Sequence, residues 1–257
     1  MPLYKKLKYN VTRHIAMITI NHPPANTWNL ATMEEFEDSI ERAADNEDVR
    51  VVLITGSGEK CFSAGFDVSD AANVDIISPM GRDLWRRIDR FSKPTIALIN
   101  GHALGGGLEL AMSCHFRIMV DNPKAMLGLT ELNLGIIPGW GGTQRLVRLV
   151  GRSRALDMIL FSRRINVSEA LEIGLVDRKV SPDLFREEGI CFAEELANRP
   201  PIAVKYVLDA FSEGLYHGLD QGLKVEALGS AVVRNTEDRN EGFKAFMEKR
   251  NPHFNGR

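Results

Sequence analysis

Cysteine is scarce in this chain: only Cys61, Cys114 and Cys191 occur. Three is an odd number for a disulfide framework, and their spacing fits no zinc motif. Three ordinary thiols in a reducing compartment are expected. The six histidines, His14, His22, His102, His115, His217 and His253, show no metal spacing either. His102 sits beside a glycine turn, and a structural role is the simpler account of it. Excess positive charge is also lacking, since the net charge is −2, which argues against a nucleic-acid surface. No apolar run approaches a membrane span, and the first residues lack the apolar core of a signal peptide. A cytoplasmic setting without membrane attachment is the expectation. Two nucleotide-binding patterns are missing as well. Gly56-Ser57-Gly58-Glu59-Lys60 lacks the spacing of a phosphate loop, and the triple glycine Gly105-Gly106-Gly107 lacks a dinucleotide register.

What is present suits a soluble globular protein. Hydrophobic residues make up 44% and charged residues 26% of 257 positions, enough for a full core without cross-links. Buried strands are expected at 50–55 and 94–100, with further strands at 14–21, 116–120 and 176–180. Asn29 is placed to cap a helix over 30–44, and further helices are expected at 79–90, 105–114, 142–149, 153–161 and 168–173. Strands alternating with helices imply an α/β core with a parallel-type sheet. From about residue 182 the pattern is almost wholly helical. The expected organisation is a core over 1–195 carrying the active site and a helical region over 196–257.

Two glycine-rich stretches, each tied to a glutamate, carry the chemistry. The first is Asn100-Gly101-His102-Ala103-Leu104-Gly105-Gly106-Gly107-Leu108-Glu109. A helix starting near Gly105 leaves its first amides without partners at the positive end of the dipole. The Gly106 N–H is thereby free for a negative oxygen, and Glu109 follows about one turn later on the same side. Taken alone, a tight packing turn explains this stretch equally well. The second stretch runs from Thr130-Glu131 through Gly135-Ile136-Ile137-Pro138-Gly139-Trp140-Gly141-Gly142. A third segment, Ser63-Ala64-Gly65-Phe66-Asp67-Val68, has small residues that permit a bend and a second amide, from Phe66. Two converging amides would form an oxyanion hole; losing one such donor costs about 3–4 kcal/mol of transition-state stabilisation. By itself this segment reads more simply as a strand-to-helix loop.

These segments, with Arg154-Ala155, Gly174-Leu175-Val176 and the closing Glu241-Gly242 to Phe254, resemble the crotonase (enoyl-CoA hydratase/isomerase) family. The resemblance runs through nearly the whole chain in several ordered motifs. It implies a spiral of ββα units followed by a helical C-terminal region that trimerises, with trimers often paired into hexamers. It implies an acyl-coenzyme A thioester as substrate and no permanently bound cofactor or metal. By position, Phe66 and Gly106 would supply oxyanion amides, and Glu109 and Glu131 would be the catalytic carboxylates. Ala64, Asp67 and Val68 would line the coenzyme A path through backbone contacts. Lys244, Lys249 or Arg250 would be candidates for a coenzyme A phosphate, although a solvated basic face explains them as well.

Retention of both glutamates favours hydration of a 2-enoyl thioester over double-bond isomerisation. Two carboxyls around one water can share activation of that water and delivery of a proton, because close like charges keep one acid protonated near neutral pH. Hydration of a cyclic or dienoyl ester remains open on the same scaffold, with Trp28, Trp85 and Trp140 as possible pocket-shaping residues. A non-catalytic acyl-CoA- or RNA-binding relative is the reading from another class. Two departures from the family pattern are expected to border the acyl pocket: a 22-residue separation of the glutamates, with extra length near 122–127, and Thr130 where proline often stands.

Overall fold

The computed structural model describes residues 4–257. The chain opens with an antiparallel hairpin of β1 (Leu7–Thr12) and β2 (Ile15–Ile20), whose two-residue turn places both Arg13 and His14 at positive φ. Such a turn matches the twist of the paired strands. Helix α1 (Leu30–Asp45) follows, and the Asn29 side chain accepts the Thr32 amide at 2.9 Å as its N-cap. Three strand–strand–helix passages then succeed one another. They are β3 (Val51–Gly56), β4 (Cys61–Ser63) and α2 (Val74–Asp89); β5 (Thr95–Ile99), β6 (His102–Leu104) and α3 (Gly106–Ser113); and β7 (Phe116–Val120), β8 (Met126–Gly128) and α4 (Gly142–Val150). The first strands of these passages lie parallel in a six-stranded sheet of order β1-β2-β3-β5-β7-β10, where β10 is Arg178–Val180. The second strands lie parallel in a smaller sheet, β4-β6-β8-β9, closed by the antiparallel β9 (Ile165–Asn166). This is the expected spiral of ββα units.

The chain continues through α5 (Arg152–Leu160), β9 (Ile165–Asn166), α6 (Val167–Glu172), β10 (Arg178–Val180) and α7 (Phe185–Ala197). Helix α7 covers the outer face of the large sheet. Phe185, Ala193 and Ala197 pack there against Val51, Leu53, Ile96, Leu98 and Ile118, while Val52, Ile54, Ala97 and Ile99 face the main core. Strands buried on both faces read as unbroken apolar runs, which is why 50–55 and 94–100 are legible from composition alone. Helices α8 (Pro201–His217), α9 (Leu219–Val233) and α10 (Glu237–Glu248) complete the chain. Their apolar side chains are largely uncovered: Phe211, Leu215, Leu219, Phe243, Phe246 and Met247 are all exposed.

One helix start differs from expectation. Helix α2 begins at Val74, five residues before Pro79, rather than at Pro79. Burial of Ile77 in the core offsets the backbone hydrogen bond that Pro79 cannot make. Among the described residues no helix is long and apolar enough to cross a membrane.

Candidate active site

The site is assembled where β6 turns into α3. Gly105 adopts φ 53° and ψ −129°, and its amide donates to the Gly128 carbonyl at 2.9 Å, tying the turn to β8. The next amide, Gly106, heads the helix and makes no hydrogen bond among the described residues. Its glycine identity is imposed by the neighbour on its other side: a Cβ there would lie 2.2 Å from the Trp140 ring. Gly65 comes close from the opposite direction. It has φ 88°, and a Cβ on it would stand 2.8 Å from the Gly106 nitrogen. Phe66 follows. It forms a parallel bridge with Trp28, in which Trp28 N–H donates to Gly65 O at 2.9 Å and Asp67 N–H donates to Trp28 O at 3.1 Å. A parallel bridge of this kind uses the groups flanking Phe66 and turns Phe66's own N–H to the other edge. That amide, too, is unbonded among the described residues.

Two glutamates from distant parts of the chain enter the same pocket. Glu109, in the first turn of α3, is 2% exposed, and its Oε1 accepts amides from Trp140 at 2.8 Å and Gly142 at 2.7 Å. Glu131 opens a single 3-10 turn, Glu131–Leu134, which Leu129 and Thr130 join to the end of β8. Its Oε1 lies 3.3 Å from where a Cβ would sit on Gly105, and its buried Oε2 has no hydrogen-bond partner. Burial pushes both carboxyls up to about 7. For Glu109 the charge of Glu131 adds to that rise, against the lowering by the Gly142 and Trp140 amides. The pocket between them has a volume of about 160 Å³ and is walled by Ala64, Phe66, Val68, Gly106, Thr130 and Trp140. Val74 and Ser78 of α2 close one side.

Not every sequence candidate lies there. Asp67 is absent from the pocket lining. Its carboxylate caps the turn Val68–Asn73, accepting from Ser69 N–H at 3.1 Å and from the Thr27 hydroxyl at 3.0 Å. Hydrogen bonding from Ser69 holds it below the usual carboxylate range. Lys244, Lys249 and Arg250 lie in and just beyond α10, and none lines the pocket; Arg250 is paired with Glu241 at 2.6 Å and Glu248 at 2.7 Å. His102 Nδ1 accepts the Met126 amide at 3.0 Å and so joins β6 to β8. Cys61 and Cys114 are buried away from the pocket, and burial pushes the Cys114 thiol up to about 12. Among the described residues no three His, Cys, Asp or Glu side chains gather to hold a metal.

Two expectations about the pocket walls need correction. The segment 122–127, where extra length was expected, turns between β7 and β8 with Pro123 and Lys124 exposed, and it does not border the pocket; Thr130 does. Of the three tryptophans only Trp140 lines the pocket. Trp28 and Trp85 are fully buried behind it in an edge-on series, with centroids 5.0 Å apart and Trp85–Trp140 5.4 Å apart. Trp85 Nε1 donates to the Gly106 carbonyl at 3.0 Å and so fixes that peptide. Neither this contact nor the amides that grip Glu109 was foreseen. The run Gly139-Trp140-Gly141-Gly142 ahead of an amphipathic helix was the available signal for the latter.

A buried pair of high-pKa carboxyls, facing two unbonded amides at a glycine-lined helix start, defines an acid–base site suited to a carbonyl compound. The model of the enoyl-CoA hydratase/isomerase family matches residues 10–257. A crotonyl-CoA hydratase of Syntrophomonas wolfei is 37% identical over 257 residues, covering 98% of each chain. A short-chain-enoyl-CoA hydratase of Clostridium acetobutylicum is 39% identical over 242 residues, covering 92% of each. The solved enoyl-CoA hydratase of Bacillus anthracis superimposes with a TM-score of 0.94 at 41% identity, covering 98% of this chain and 100% of that one. The chain belongs to the enoyl-CoA hydratase/isomerase family.

Proposed function

We propose that this protein is an enoyl-CoA hydratase, adding water across the 2,3 double bond of an enoyl-coenzyme A thioester. The observation that carries the reading is the meeting of Glu109 and Glu131 in one pocket beside the Phe66 and Gly106 amides. In this scheme the two N–H groups receive the thioester oxygen and stabilise the charge it gains as C2–C3 loses its double bond. The Trp140 and Gly142 amides immobilise one oxygen of Glu109, leaving the other to take a proton from water as that water attacks C3. Glu131, protonated, gives its proton to C2. The product is a 3-hydroxyacyl thioester, and proton exchange between the two acids, directly or through solvent, resets the pair. Elevated pKa values for both acids fit these roles, because one must donate and the other accept near neutral pH.

Double-bond isomerisation needs only one proton shuttle, so a second buried acid would be superfluous to it. Ala64 and Val68 in the pocket wall are placed for backbone contact with the coenzyme A arm, and Asp67 serves that arm by shaping the turn between them and α2. No separate cofactor enters the scheme. We further propose that the uncovered apolar faces of α8–α10 are joined in a trimer or a pair of trimers, since patches of that extent favour association. The test of the activity is hydration of crotonyl-CoA, followed by loss of the conjugated thioester absorbance. Glu109→Gln and Glu131→Gln should each lower kcat by about 10²-fold or more with the fold intact. Full activity in both variants would overturn the reading.

A further inference from the structure

A second cavity, of about 420 Å³, shares Ile137, Gly139 and Trp140 with the glutamate pocket. Ile137, 71% exposed, stands on the rim between the two spaces, with the buried Trp140 ring beneath it. Five arginines line this second space: Arg82, Arg86 and Arg90 from α2 and its end, and Arg145 and Arg148 from α4. One acid, Asp89, accompanies them. Such a concentration stands out in a chain of net charge −2.

The acid present is already engaged. Asp89 accepts the Tyr216 hydroxyl and pairs with Arg145 Nε at 3.3 Å. Arg90 stacks 4.2 Å above the Tyr216 ring, and Arg148 donates to the Gln144 carbonyl at 3.0 Å. Arg82 and Arg86 have no carboxylate partner among the described residues. Thr143, beside them at the positive end of α4, lines the same space, and its amide makes no hydrogen bond among the described residues. Uncompensated arginines around a concavity raise the local potential and attract an anion. Guanidinium groups suit a carboxylate in particular, because their planar fork can hold both of its oxygens.

We propose that this arginine-lined space receives a carboxylate at the far end of the acyl chain, making the preferred substrate the enoyl thioester of a dicarboxylic acid. The proposal rests on the hydratase reading, which places the thioester at Phe66 and Gly106 and sends the acyl chain past the glutamates toward Ile137. The uncharged end of a simple fatty acyl chain would gain nothing from these groups and would leave them unpaired.

The experiment compares kcat/KM for crotonyl-CoA, 2-hexenoyl-CoA and the mono-coenzyme A ester of 2-hexenedioic acid, which has the same six-carbon chain with a terminal carboxylate. The wild type should favour the carboxylated ester over its neutral counterpart by about tenfold or more at low ionic strength, and added salt should shrink the ratio. In the double variant Arg82→Leu/Arg86→Leu the ratio should fall by about tenfold, chiefly through KM. Hydration of crotonyl-CoA without any preference for the carboxylated ester overturns the proposal and leaves the hydratase reading standing. Equal losses on all three esters in the double variant also overturn it, since the arginines would then serve the coenzyme A moiety or a neighbouring subunit. Failure to hydrate any of the three overturns the hydratase reading itself.

Discussion

Glu109 and Gly142 are 33 residues apart in the chain and 2.7 Å apart in space, with the carboxylate accepting the amide that begins α4. This one bond ties the helix bearing the first glutamate to the segment that supplies the Trp140 wall. A buried carboxylate must be hydrogen-bonded or neutral. Here it has two donors on one oxygen and still rises to about 7, because burial and the second acid outweigh them.

The pair should set the pH–rate profile. With both groups raised to about 7, hydration requires one proton shared between two acids, so kcat/KM should rise and fall on either side of neutrality. The two limbs belong to the pair and not to single residues. Steady-state kinetics on crotonyl-CoA from pH 5 to 9 will check this, and a flat profile would contradict it.

The same shifts have a consequence for stability. In the unfolded chain these carboxyls ionise near 4.5, but in the folded protein near 7. Between those values the native state holds more protons than the unfolded state, so stability falls as pH rises through that window. It is fully present below the unfolded value and lost above the folded one. A double Glu109→Gln/Glu131→Gln variant removes the titration and should melt higher than the wild type above pH 7, by about 2–4 °C for each kcal/mol recovered. Thermal melts at pH 5 and pH 8 should show the gap widening with pH.

Gly106→Ala should damage the fold and the site together. The new methyl would stand 2.2 Å from the Trp140 ring, so the helix start or the tryptophan must move. Overpacking of this kind costs about 1–3 kcal/mol. Adding Trp140→Leu should recover part of the lost melting temperature without recovering turnover. If Gly106→Ala alone melts like the wild type, the close approach is not a constraint.

Self-association should depend on the last helices. Phe246 and Met247 are 81% and 79% exposed on the single chain, which strongly favours their being covered by another copy. Sedimentation should give a mass three or six times 28.7 kDa. Phe246→Asp/Met247→Asp should lower it, and an unchanged mass would place the interface elsewhere.

Much of the fold was legible because its physics is local. Asn29 caps α1 as its side chain allows, and the apolar runs at 50–55, 94–100 and 116–120 form the doubly covered strands β3, β5 and β7. Three-residue strands such as β4, β6 and β8 are too short for any alternation to register. The start of α2 was misplaced because proline commonly sits in the first turn of a helix, whereas here core burial of Ile77 carries the helix back to Val74. The cap that the Asp67 side chain makes was not legible, because one of its donors, Thr27, lies 40 residues away in the chain.

The amino-acid sequence by itself determined which groups are available: two glutamates, a glycine at a helix start whose amide has no partner within the helix, and helix starts to orient them. Those follow from residue identity and from backbone geometry over a few positions. Only the tertiary structure decided that Glu131 lies against Gly105, that Trp140 and Gly142 grip Glu109, and that Trp85 holds the Gly106 peptide. These contacts join segments tens of residues apart, and their geometry depends on how two sheets and their helices pack as a whole.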